Sequence, residues 1–236
     1  MRSGAGLIGL HVPRYYGACG GRMRRIVAGA VGLALVALIA SGSFAQTPDE
    51  IKQAEHDVPL LLSLLDVQPG MTVADVGAGA GAMTLIASQQ LGDASHVYAT
   101  DLNPRTVAEL HALAERERLT NVEVVQGAEA ITNLPPQCCD AIWLRDVYHH
   151  FGNAAAMNRS LAAALKPGGR LAVIDFEPAL HSKLPDGVPA NRGGHGIPPS
   201  IVVEEVSASG LTPVRTDLHW PEAHSAYFLA LFRKEK

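Results

Sequence analysis

A short apolar run that ends in three alternating glycines constrains this chain more than any other stretch of it. Residues 72–76 (TVADV) read as a buried strand, and Gly77, Gly79 and Gly81 close it before a helical pattern opens over 82–91. Glycine permits a tight turn there and lets backbone N–H groups approach a ligand at the helix N-terminus. About 25 residues on, a second strand (96–100) leads into Asp101, whose carboxylate can accept both hydroxyls of a ribose. A strand, a glycine turn, a helix and an acid at the next strand end point to a nucleoside-containing ligand. The pattern alone leaves a dinucleotide and S-adenosylmethionine both open.

The rest of the chain repeats the same alternation. A first helix is expected over 48–66, a charged-faced helix over 104–118 and a strand over 122–126. Further strands follow at 140–144 and 170–176, with an alanine-rich helix (153–165) between them that Lys166-Pro167-Gly168-Gly169 should break. Residues 177–199 are rich in Gly and Pro and read as a loop or lid, followed by a helix over 200–209. Regular β-α alternation implies a parallel sheet with helices on both faces and right-handed crossovers. The final strands, 213–218 and 226–233, are joined by too short a link for a helix, so they must pair antiparallel. The expected fold is therefore α/β and Rossmann-like: a seven-stranded, mostly parallel sheet with a C-terminal antiparallel hairpin.

Three details favour S-adenosylmethionine over a dinucleotide. Asp75 lies inside the strand, two residues before the first glycine, where a carboxylate suits a cationic ligand and repels a pyrophosphate. The glycines are spaced G-x-G-x-G, without the G-x-G-x-x-G of dinucleotide sites. The antiparallel hairpin is the third.

With these residues in place, the chain resembles the class I S-adenosylmethionine-dependent methyltransferases over 48–236, through VADVGAGAG, ATDLNP, CDAIWLRDVYHHF and LKPGGRLAVIDF in order. Among them it looks most like small-molecule enzymes similar to the ubiquinone/menaquinone-biosynthesis C-methyltransferases, including exported members. The resemblance implies that Asp75 holds the methionine amino group and that Gly77, Ala78, Gly79 and Gly81 line the methionine part. It places Asp101 on the ribose and Leu102 on one face of the adenine. The family often has an acid after its third strand; here the stretch is Gly127-Ala128-Glu129, so Glu129 substitutes or faces solvent. Arg145, grouped with the cofactor residues, and Asp146 end the fourth strand, where the family presents the methyl group; Asp146 is alternatively a turn or capping carboxylate.

His149 and His150, next to Tyr148, could serve as a general base or simply pack. His195, between glycines in the lid, either contacts substrate or stays solvated. Asp175 and Glu177 end the fifth strand, pointing toward the crevice that binds ligands in such sheets. Transfer from a sulfonium is direct, so a base is needed only if the acceptor must lose a proton. A non-catalytic S-adenosylmethionine-binding or interaction module with the same fold is a second reading, and a nicotinamide oxidoreductase a third.

Residues 1–45 differ in kind. They carry five arginines and no Asp, Glu or Lys; the cluster Arg22, Arg24, Arg25 runs into the apolar residues 26–40, and Ser43 and Ala45 supply a small-x-small end. This is the secretory pattern, with cleavage expected after Ala45, export to the periplasm, and Met23 expected as the true start. An uncleaved anchor is the alternative. Without those five arginines, 14 basic residues face 23 acidic ones, a net of −9. Such a domain has no basic stripe for nucleic acid, so a small-molecule acceptor is expected. Cys138 and Cys139 are adjacent and expected to stay unbridged, and no His/Cys spacing suggests a metal.

Overall fold

The computed structural model describes residues 46–236. The expected leader, its cleavage point and the alternative start lie outside the described residues. Among those described, no helix is long and apolar enough to cross a membrane.

Local chemistry sets the helix ends. Helix α1 (Pro48–Leu64) starts at a capping box: the Thr47 hydroxyl accepts from Glu50 N at 3.2 Å, and Thr47 N donates to the Glu50 carboxylate at 2.7 Å. It ends two residues earlier than the sequence pattern suggests. Strand β1 (Thr72–Val76) is buried from Val73 onward, as a central parallel strand should be. Helix α2 (Ala82–Leu91) begins at Gly81 with no side-chain cap. Strand β2 (His96–Asp101) leads into α3 (Pro104–Glu117), which Asn103 caps by accepting from Arg105 N at 3.0 Å. Strand β3 (Val122–Gln126) and β4 (Cys139–Arg145) follow, then a 3-10 turn at Tyr148–His150 and helix α4 (Ala154–Ala164).

Strand β5 (Leu165–Phe176) corrects one expectation. The Lys-Pro-Gly-Gly stretch does not separate helix from strand but belongs to the strand, with a register shift against β4 between Cys139 and Ala141. Glycine is needed at 169 because a Cβ there would lie 3.1 Å from Asp140 O and 3.2 Å from Cys139 O. A second correction is nearby: Cys138 and Cys139 form a vicinal disulfide at the start of β4, with Cα atoms only 3.8 Å apart. The lid, residues 177–198, holds a 3-10 turn at Ala190–Arg192. Helix α5 (Pro199–Ser207), β6 (Leu211–Asp217) and β7 (Tyr227–Lys234) complete the order.

The seven strands run β3-β2-β1-β4-β5-β7-β6. β1 to β5 are parallel, while β7 pairs antiparallel with both β5 and β6, as the short link requires. Alternate residues of the central strands feed two cores. Val76, Ile142, Leu144 and Val173 pack with Met157 and Leu161 of α4 and Val202 and Val206 of α5. Val73, Trp143, Ala172 and Ile174 pack on the other face with Ala54, Val58 and Leu61 of α1 and Met83 of α2. Each fully buried Leu or Ile contributes about 1.5–3 kcal/mol, so the two faces together supply most of the driving force.

Strand order reverses at β1: β2 and β3 lie on one side, β4 and β5 on the other. Connections leave in opposite directions there, opening a crevice beyond the carboxyl ends of β1 and β4. Asp75, the glycine turn, Arg145 and Asp146 all arrive at that crevice.

Candidate functional site

The crevice is a cavity of ≈ 260 Å³ bordered by Asp75, the 77–83 turn and Arg145, Asp146 and Val147. A larger hollow, ≈ 470 Å³, lies against Leu60, Leu64 and residues 215–221. No glycine turn reaches it, and its Asp217 is already paired with Arg215 at 2.7 Å. The smaller cavity carries the chemistry.

Gly77, Gly79 and Gly81 all adopt positive φ, at 77°, 54° and 82°. Gly77 N and Ala78 N donate to Thr100 O at 2.8 and 2.9 Å, pinning the turn to the end of β2. Asp101 ties the two strand ends together: Gly79 N donates to its Oδ2 at 3.2 Å and Asn103 N to its Oδ1 at 2.8 Å. At Gly79 nothing lies within 4 Å of where a Cβ would sit, so the turn leaves an open cradle.

Asp75 is 3 % exposed, and its Oδ2 accepts from the Thr84 hydroxyl at 2.7 Å. Burial raises its carboxyl to about 6, with the Thr84 bond pulling the other way. The Trp143 indole also favours the anion, yet its N–H reaches hydrogen-bond geometry with no partner, so it acts only as a nearby dipole.

Arg145 lies on the cavity wall but is not free. Its Nη1 sits 3.1 Å from Asp57 of α1 and its guanidinium 5.1 Å over the Tyr227 ring. That ion pair lacks hydrogen-bond alignment. Sequence reasoning passed over Asp57, although a carboxylate in the buried stripe of Ala54, Val58 and Leu61 was a signal. Leu102, Ala128 and Glu129 are exposed and do not border the cavity; nor does Glu177, which faces solvent.

Beyond Asp146, whose φ of 59° is left-handed, three histidines meet. His149 is 1 % exposed; its Nδ1 bonds Asp175 Oδ1 at 2.8 Å, and its backbone N donates to Asp175 Oδ2 at 3.1 Å. Its Nε2 is buried with no partner, a state that costs about 1–3 kcal/mol when nothing meets it. The His150 ring lies 4.0 Å from that of His149, and the His195 ring packs edge-on to His149 at 4.7 Å. Of the four residues expected around the acceptor, Asp146 lines the cavity and the histidines cluster beside it.

The lid brings His195 there, and Arg192 holds the lid. Arg192 is fully buried, with Nη1 2.9 Å from Glu205 of α5 and its guanidinium 5.8 Å from the centre of the Tyr148 ring. The Tyr148 hydroxyl donates to Glu205 at 3.0 Å and accepts from Asn158 at 2.7 Å. Burial pushes the Tyr148 hydroxyl up, so it stays a neutral donor. Losing one partner of a buried ion pair costs about 3–5 kcal/mol. Nothing in the sequence distinguished Arg192 from a solvated loop arginine.

Residues 74–173 match the family model described as "Methyltransferase domain". Over that stretch the chain is similar to a methyltransferase domain. The matched stretch runs from β1 into β5 and so includes the glycine turn, Asp101 and the histidine pair. A ubiquinone/menaquinone biosynthesis C-methyltransferase from Shewanella oneidensis is 30% identical over 118 residues, covering 50% of this chain and 47% of that protein. A protein-L-isoaspartate O-methyltransferase from Methanothrix thermoacetophila is 28% identical over 120 residues, covering 51% and 54%. The chain thus spans about half the length of the curated relatives it matches. A solved methyltransferase from Aquifex aeolicus shares the methyltransferase domain fold, with TM-score 0.62 and 24% identity over 80% of this chain and 98% of that one.

Proposed function

We propose that this protein transfers a methyl group from S-adenosylmethionine to a small-molecule acceptor. The observation that carries the reading is a crevice lined by a buried carboxylate and a glycine cradle, with Asp101 bonded to the cradle at Gly79 N. The donor set fits a zwitterionic amino-acid head joined to a nucleoside. The uncapped N-terminus of α2 suits a carboxylate, Asp75 an ammonium group, and Asp101 a diol. A pyrophosphate would bring two negative charges against Asp75 and Asp146.

When bound, the cofactor supplies a methyl group already activated by its sulfonium. The protein's part is then alignment and exclusion of water. Asp75 and Asp101 fix the two ends of the cofactor. Asp57 and the Tyr227 ring engage the Arg145 charge, so the wall near the sulfonium is not left with a free cation. Asp146 and the lid face the acceptor. The two curated relatives are named for C- and O-methylation, so what they share with this chain supports the cofactor half and leaves the accepting atom open.

Calorimetric titration of the full chain with S-adenosylmethionine tests this. Saturable binding is expected, and Asp101→Ala should weaken it tenfold or more, about 1.4 kcal/mol. A folded sample with no binding would overturn the reading and leave a domain that kept only the fold.

We further propose that the domain works outside the cytoplasm, in the periplasm. The arginine cluster, the uncharged run over 26–40 and the small residues at 43 and 45 support this. Mass spectrometry of the protein recovered from fractionated cells should find a periplasmic species beginning at Gln46. Recovery of uncleaved chain from the cytosol would refute it, and uncleaved chain in the membrane fraction would indicate an anchor.

A further inference from the structure

We infer that His149, His150 and His195 form a binding site for one borderline transition-metal dication, of which Zn²⁺ is representative. One ligand-capable atom of each lies within 4.8 Å of those of the other two. The three come from two segments far apart in sequence: the 3-10 turn after β4 and the lid. Sequence spacing gave no hint of this, which is why no metal site was expected.

Proximity alone would describe a cluster of packed rings. His149 adds an independent observation. Its Nδ1 faces the Asp175 carboxylate, which can only accept, so in the neutral imidazole Nδ1 carries the proton and Nε2 the lone pair. That Nε2 is buried and has no partner among the described residues. A carboxylate holding one imidazole nitrogen so that the other is free to ligate is the usual outer shell of a histidine-bound metal. Asp175 is fully buried and itself anchored by His149 N and Phe176 N, so the arrangement is rigid.

The other two histidines are exposed, which leaves a path for an ion to enter. The glycines at 193, 194 and 196, with φ of 82°, 154° and 116°, allow the lid to turn His195 inward. Ile197 N donates to Phe176 O at 2.9 Å, so the lid returns to the end of β5 beside Asp175. Imidazoles favour zinc, cobalt, nickel or copper over magnesium or calcium. Three protein ligands leave coordination positions open, as in sites that also bind a small molecule. Asp146, on the cavity wall, has a carboxylate oxygen within 4.8 Å of a ring nitrogen of His149. A metal-liganding acceptor is therefore the substrate class favoured; that last step rests on the methyl-transfer reading, whereas the metal site does not.

The test uses the full chain stripped with chelator. Zn²⁺ is titrated calorimetrically and Co²⁺ by its visible absorption bands, with S-adenosylmethionine binding measured on the same samples. One ion per chain is expected, with a tetrahedral or five-coordinate cobalt spectrum. His195→Ala, on the exposed lid, should lower the affinity by at least about 10–100-fold, as should Asp175→Asn. His111→Ala, on the exposed face of α3, should change nothing. Because His149 is buried, its own substitution risks the fold, and His195→Ala decides the matter. No stoichiometric binding, or binding that survives His195→Ala, overturns the metal site. Loss of cofactor binding alone would instead remove the methyl-transfer reading.

Discussion

Asp75→Asn is expected to make the protein more stable at pH 7 and to weaken S-adenosylmethionine binding about a hundredfold. The side chain keeps its shape, and the Thr84 hydroxyl can still donate to an amide oxygen. What disappears is a buried charge. With its carboxyl raised from 3.8 to about 6, wild-type Asp75 is ionised at pH 7 at a cost on the order of 3 kcal/mol. The sign follows from the raised value. As pH falls through about 6 toward 4 the folded protein takes up a proton sooner than the unfolded chain, so this destabilisation fades on acidification. Denaturation at pH 5 and pH 7 should therefore show a wild-type gain at the lower pH that the Asn variant lacks. Binding runs the opposite way: only the anion attracts the ammonium group, so wild-type affinity should fall about tenfold per unit below pH 6. A variant less stable than wild type at pH 7 would show that the ionised carboxylate is a net stabiliser, and the assignment would fail.

Gly77→Ala should cost about 3 kcal/mol of stability and abolish measurable cofactor binding. Two penalties add. A φ of 77° costs an L-residue roughly 1–2 kcal/mol. The new methyl would also lie 2.5 and 2.8 Å from the two γ carbons of Val147, a β-branched side chain with few rotamers. Nor can the turn move aside, because Gly77 N and Ala78 N are both bonded to Thr100 O. Adding Val147→Ala should recover the steric part and leave the conformational part. A single variant within about 0.5 kcal/mol of wild type in chemical denaturation would show an adaptable turn, incompatible with the pinned cradle described above.

What could be read in the sequence was what lies close together along the chain. The strand, glycine turn and helix around Gly77, the acid at Asp101 and the antiparallel final strands each follow from a local pattern, and the structure has all of them. Contacts that span many residues were invisible. Arg145 reaches back to Asp57 on the first helix, Arg192 reaches forward to Glu205, and His149 meets Asp175 and His195 only because β5 and the lid return beside it. No local period encodes such meetings. Glu129 stands one residue off the position where the family often carries its acid, and it is exposed and does not border the cavity.

The position of β7 bears on the order of assembly. It is the seventh strand to emerge from the ribosome, yet it sits sixth in the sheet, wedged between β5 and β6. Until Tyr227–Lys234 has been made, β5 presents a bare edge and β6 has nothing to pair with. The sheet is therefore joined across that gap only when β7 inserts between its two neighbours.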